Sequence, residues 1–144
     1  MTQADNLVNW SSLRAARAQL GDNFLRILGY FEEDGTKSVA AIENAMRDRC
    51  ATGMVIPAHT LKGESSQFGA IKLMEAAEHI ETVARHCIEA RTSPDDLLAD
   101  IGSLRALFER TLATLKEDSP QVATMPRRAF GQRTFGNSQR FGQV

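Results

Sequence analysis

His59 is followed by Lys62 three positions on, Gly63 four on and Ser66 seven on, a spacing that brings all four to one flank of a helix. On a helical wheel with the buried stripe at zero, His59 falls at about 140° and Ser66 at about 120°. Gly63 falls at about 180° and Lys62 at about 80° on the same wheel, so the group faces outward. A neutral imidazole offers a nucleophilic nitrogen near pH 7 that few other side chains present without activation. Phosphorylated there, it becomes a labile phosphoramidate, suited to onward transfer rather than storage. Glycine at the fourth position leaves room above the imidazole for an incoming group. It also costs about 1 kcal/mol against alanine within a helix, so some gain must offset it. Lys62 can reach phosphoryl oxygens as a flexible point charge, and Ser66 can hydrogen-bond near the imidazole or its phosphate.

These residues need a scaffold, and the apolar spacing describes one that is all-α. Phe24, Leu28, Phe31, Val39, Ile42 and Met46 recur in steps that mark one helix from about residue 22 to 49, locally weakened at Asp34-Gly35. A shorter helix before it holds Leu7, Trp10, Leu13 and Leu20 and caps one end of a bundle. The histidine helix runs from about residue 52 to 68, with Met54, Ala58, Leu61, Ser65 and Phe68 inward, and Pro57 tolerated in or near its first turn. The next runs from about residue 70 to 91 on Leu73, Ala77, Ile80, Ala84 and Cys87, a near-heptad spacing suited to antiparallel packing. Ser93-Pro94-Asp95-Asp96 reads as an N-cap serine, a first-turn proline and first-turn acids. One last helix follows on Leu97, Ile101, Leu104, Phe108, Leu112 and Leu115. The expected architecture is an antiparallel four-helix bundle with a short extra N-terminal helix and a flexible C-terminal tail.

Charge divides the chain in two. Residues 1–118 carry a net −5, whereas residues 119–144 carry four arginines and no acid. The second segment also repeats Phe-Gly at Phe130, Phe135 and Phe141, in spacings that fit neither a helix nor a strand, and is read as lacking structure of its own. The expected organisation is therefore a helical bundle over 1–118 and a basic tail over 119–144. A length of 144 residues suggests one domain with little room for a second, and no G-x-x-x-x-G-K phosphate loop is present. Apolar runs are too short to span a membrane, and the first residues lack the basic and apolar stretches of a secretion signal. Two cysteines are too few for a disulfide framework, so a reduced, cytoplasmic setting is expected.

The run Ala58-His59-Thr60-Leu61-Lys62-Gly63-Glu64-Ser65-Ser66-Gln67-Phe68-Gly69-Ala70 resembles the signature of histidine-containing phosphotransfer domains, roughly H-x-L-K-G, small residues and an apolar-Gly pair. The resemblance extends over about residues 22–117. It implies that His59 is the phosphoacceptor, that Lys62 assists electrostatically and that Gly63 clears space, with Ser66 and Gln67 in support. Glu64 departs from the small residue common in the family, though the wheel puts it on another flank from His59. The family also uses polar residues on the following helix, where spacing sets Glu81 and Arg85 opposite His59. They are equally an ordinary i, i+4 surface pair. The implied partners are response-regulator receiver domains and hybrid histidine kinases. Mg²⁺ is expected on the receiver, and no cofactor on this chain. A monomeric carrier is expected rather than an enzyme, with no nucleic-acid partner, because four arginines supply little electrostatic affinity.

Other readings fare less well. His79, His86 and Cys87 lack the i, i+3 or i+4 ligand spacing of a helical metal site, and Cys87 continues the apolar stripe. A haem- or metal-binding bundle is disfavoured on that ground. The main rival is a binding module that keeps the motif, carries no phosphate and acts on a partner through its Phe-Gly tail. Separately, a basic tail that folds back over His59 on the acidic body would regulate transfer.

Overall fold

The computed structural model describes residues 7–117, and among them the regular elements are helical, with no strand. Helix α1 spans Trp10–Leu20, α2 Phe24–Arg47, α3 Thr52–Gln67, α4 Ile71–Ala90, α5 Leu98–Gly102 and α6 Leu104–Glu117. Short 3-10 turns at Gly21–Asn23 and Asp95–Leu97 join them. The chain divides into a unit ending at Thr114, which holds the packed helices, and another beginning at Leu115. The tail expected over 119–144 lies outside the described residues.

The stripe read on α2 is buried as expected, from Phe24 through Leu28, Phe31, Val39 and Ile42 to Met46. Its contacts fix the direction of the neighbouring helices. Phe31 lies against Phe68 at the end of α3, with ring centroids 5.2 Å apart, while a Cβ on Gly53 at the start of α3 would lie 3.2 Å from Ala45 Cβ. Helices α2 and α3 therefore run antiparallel. On the other side Phe31 meets Phe108 of α6, and Arg105 of α6 bonds Glu43 through Nη2 at 2.7 Å, which makes that pair antiparallel too. With α4 antiparallel to α3, the four-helix bundle is complete, its fourth limb formed by α5 and α6.

Several local expectations change. Gly35 is no weak point. Helix α2 is continuous through it, and a Cβ there would sit 2.6 Å from Phe108 Cζ, so the missing side chain is what lets the aromatic ring reach the helix backbone. Helix α1 begins after Asn9, whose Oδ1 accepts the Ser12 amide at 3.1 Å, so Leu7 precedes the cap instead of belonging to the helix. Leu7 and Leu13 are buried, but Trp10 and Leu20 are only half-buried. Pro57 stands in the second turn of α3, leaving the Gly53 carbonyl without its helical donor. Ser93 caps no amide; its hydroxyl donates to Asp95 Oδ1 at 2.7 Å, and Pro94 precedes a 3-10 turn. The single last helix is broken at Ser103, whose hydroxyl bonds back to the Asp100 carbonyl. The break preserves phase, so Leu97, Ile101, Leu104 and Phe108 all remain buried.

The end of α3 explains the apolar-Gly pair of the motif. Gly69 takes φ +70 just past the helix, its amide bonds the Ser66 carbonyl at 3.1 Å, and the Ala70 amide bonds Ser65 at 3.0 Å. This is the paired closure of a Schellman motif, which favours glycine at that point. The Gly69 carbonyl then accepts the Asn9 amide at 2.7 Å. A Cβ on Gly69 would lie 2.8 Å from the Asn9 carbonyl oxygen, so the same glycine lets α1 dock against the histidine helix.

Candidate functional site

Helix α3 buries Ala58 and Leu61 completely, and those two contacts turn His59 and Lys62 outward on the side of α4. Helix α4 buries Ala77, Ile80 and Ala84, and this rotation carries Glu81 into the seam between the two helices. Glu81 is 6% exposed, a rare environment for a carboxylate unless it is paired. Here it is paired from three directions. His59 Nδ1 lies 3.1 Å from Oε2, Arg85 donates to Oε2 from Nε at 3.1 Å and Nη2 at 2.9 Å, and Lys62 Nζ lies 2.9 Å from Oε1. Burial alone would push the Glu81 carboxyl up, but the bonds from Lys62, Arg85 and His59 outweigh it and hold it at about 2.

An ionised carboxylate only accepts, so the bond to His59 requires a proton on Nδ1. That assigns the lone pair of the neutral ring to Nε2. The imidazole side chain is 60% exposed, so Nε2 can be approached from solvent. Gly63, one turn on, is exposed, and a Cβ built on it would meet nothing within 4 Å. Unlike Gly35 and Gly69, it answers no packing demand among the described residues. Its effect is to keep the surface beside His59 low.

The structure thus brings His59, Lys62, Glu81 and Arg85 into one cluster with Gly63 beside them. Ser66 and Gln67 are exposed at the end of α3 and stand outside the Glu81 cluster. Lys62 rests its ammonium group on Glu81, a contact that the spacing along α3 alone does not foretell. Glu64 does lie on the other flank, where it faces Asp34 of α2. Burial, and then the negative charge and hydrogen bonding of Asp34, push its carboxyl up to about 7. The departure at Glu64 therefore brings less than a full negative charge at neutral pH. His79 pairs with Asp100 at 3.3 Å and Cys87 is buried, each consistent with a structural part.

One residue of interest was missed from the sequence. Ile56 is 70% exposed and lies three positions before His59, so an apolar side chain stands open to solvent one turn from the imidazole. Its signal was available, as an isoleucine lying off the buried stripe of Met54, Ala58 and Leu61.

Among the described residues, no helix is long and apolar enough to cross a membrane. No curated protein and no solved structure matches the chain. The model of the Hpt domain matches residues 26–124, which is more than half of the chain and includes both helices of the cluster. The chain belongs to the Hpt domain family, the phosphocarrier modules of two-component signalling.

Proposed function

We propose that His59 carries a phosphoryl group on Nε2, taking it from an aspartyl phosphate of one receiver domain and giving it to the aspartate of another. The observation that carries this reading is the bond from His59 Nδ1 to a buried Glu81 carboxylate, which leaves the exposed nitrogen as the nucleophile. In transfer, the Nε2 lone pair attacks phosphorus as the bond from phosphorus to the aspartyl oxygen breaks, and the carboxylate leaves with that electron pair. The ring keeps its Nδ1 proton and becomes cationic, opposite the negative Glu81. Glu81 thus orients the imidazole before transfer and balances its charge afterwards. Lys62 steadies the phosphoryl oxygens, Gly63 admits the partner's active site, and Ser66 and Gln67 line the approach from the end of α3.

In-line displacement needs alignment and charge neutralisation more than a catalytic base on this chain. The receiver supplies the acceptor carboxylate and its Mg²⁺, and the donor is a hybrid histidine kinase or its receiver. The protein acts as a monomeric, cytoplasmic carrier, and its docking face centres on α3 and α4, with Ile56 as an apolar contact.

The test is phosphotransfer from a prephosphorylated receiver to the wild type and to His59→Gln. Label that is acid-labile, base-stable and absent from the variant is the expected result. A folded wild type that takes no label from a broad panel of receivers and kinases would defeat the reading and favour a binding module acting through residues 119–144.

A further inference from the structure

Two cations converge on one buried carboxylate, and the second asks for an explanation. Lys62 reaches Oε1 of Glu81 from α3, and Arg85 holds Oε2 from the next turn of α4 through two nitrogens. A single cation would balance Glu81. With neutral His59 the four groups carry a net +1 before any phosphate arrives. The two cations are also built differently. Lys62 lies on the same helix as His59, three residues away, on a flexible stem that can swing between neighbouring anions. Arg85 grips the same oxygen that accepts from His59 Nδ1, in a planar two-nitrogen contact that resists displacement.

Resting on the carrier role of His59, we propose that Arg85 is a positioning residue that frees Lys62. It keeps Glu81 balanced while the Lys62 ammonium leaves Oε1 for the phosphoryl oxygens. If Lys62 were the sole partner, its departure would leave a buried carboxylate uncompensated, a costly state. Lys62 would then stay on Glu81, and the arriving phosphoryl group would lose its cation. With Arg85 in place, Lys62 passes from one anion to another and Glu81 keeps its hold on the Nδ1 proton. In this arrangement the fixed arginine serves the protein's own anion and the mobile lysine serves the transferred one.

A double-mutant cycle of Lys62→Gln and Arg85→Gln tests this, with transfer from a prephosphorylated receiver as the readout. Lys62→Gln should slow transfer about tenfold in the wild-type background and less than about twofold in the Arg85→Gln background. Arg85→Lys should restore only part of the rate, because it returns a cation to Oε2 without the planar two-nitrogen grip. Thermal melts of the arginine variants should stay close to wild type, since the Arg85 side chain is 57% exposed. Imidazole ¹⁵N shifts of His59 should keep the Nδ1-protonated pattern in Arg85→Gln. Rates that simply multiply, or an Arg85→Gln protein that transfers at the wild-type rate, would overturn the assignment of Arg85 while leaving His59 as carrier. Absence of label on the wild type would overturn both together.

Discussion

The two flanks of α3 handle carboxyl groups withdrawn from solvent in opposite ways, Glu81 buried and Glu64 partly so. Towards α4, Glu81 is surrounded by His59, Lys62 and Arg85 and is held ionised, at about 2. Towards α2, partial burial and then the like charge of Asp34 push Glu64 up to about 7. Burial raises both groups, so the partner on the neighbouring helix decides the outcome. The flank with cations presents a fixed anion that can orient an imidazole. The flank without them forms an acid pair that sheds charge as the pH falls. A parallel contrast holds for the mid-helix glycines. A side chain at Gly35 would collide with Phe108, whereas one at Gly63 would meet nothing. The fold requires the first, and the second becomes intelligible once a partner must approach His59.

The glycine contrast is broken most forcefully by substituting both positions in turn. Gly35→Ala should cost about 1–3 kcal/mol by overpacking, despite the better helix propensity of alanine, and lower the Tm by several degrees. Gly63→Ala should raise stability by about 0.5–1 kcal/mol, while the larger Gly63→Gln slows phosphotransfer without lowering the Tm. A Gly63→Gln protein that transfers normally would show that the open surface is not used. The measurements are thermal melts paired with transfer rates.

The carboxyl contrast is sharpened by pH. Glu81 titrates in the folded state at about 2, below the ordinary value of 4.5. Its stabilising contribution is therefore complete above pH 4.5 and is lost as the pH falls from there towards 2. Glu81→Gln should lose about 2–3 kcal/mol at pH 7 and approach the wild-type Tm near pH 2. Parallel Tm-versus-pH curves for the two proteins would contradict the pairing of Glu81. The opposite sign holds for Glu64, whose folded value lies at about 7. Its contribution is complete below 4.5 and is lost as the pH rises through about 7. Glu64→Gln should match the wild type at pH 4 and exceed it at pH 8 by only about 2 °C, because water screens a half-exposed carboxyl. A variant less stable than wild type at pH 8 would mean that burial and the Asp34 pair do not disfavour the charged form of Glu64.

Much was determined by the sequence alone. The steps of three and four along Phe24–Met46, Met54–Phe68 and Leu73–Cys87 specify which face of each helix is buried, because a helix repeats every 3.6 residues whatever it packs against. The same geometry placed His59, Lys62 and Gly63 on one flank, and the chemistry of an imidazole beside a lysine and a glycine followed from residue types. The positions of Glu81 and Arg85 opposite His59 were visible as a possibility, since helix spacing puts them on one face. What was not legible depended on distance between helices. No local rule says that Lys62 rests on Glu81, that one carboxylate gathers three partners, or that Glu64 faces Asp34. The three glycines show the same division. Each appears in the sequence as a break in helix propensity, yet Gly35 admits the Phe108 ring, Gly69 closes α3 and receives Asn9, and Gly63 faces open space. Their different surroundings were decided only by tertiary structure, because a missing Cβ has meaning only through the atoms that would otherwise have met it.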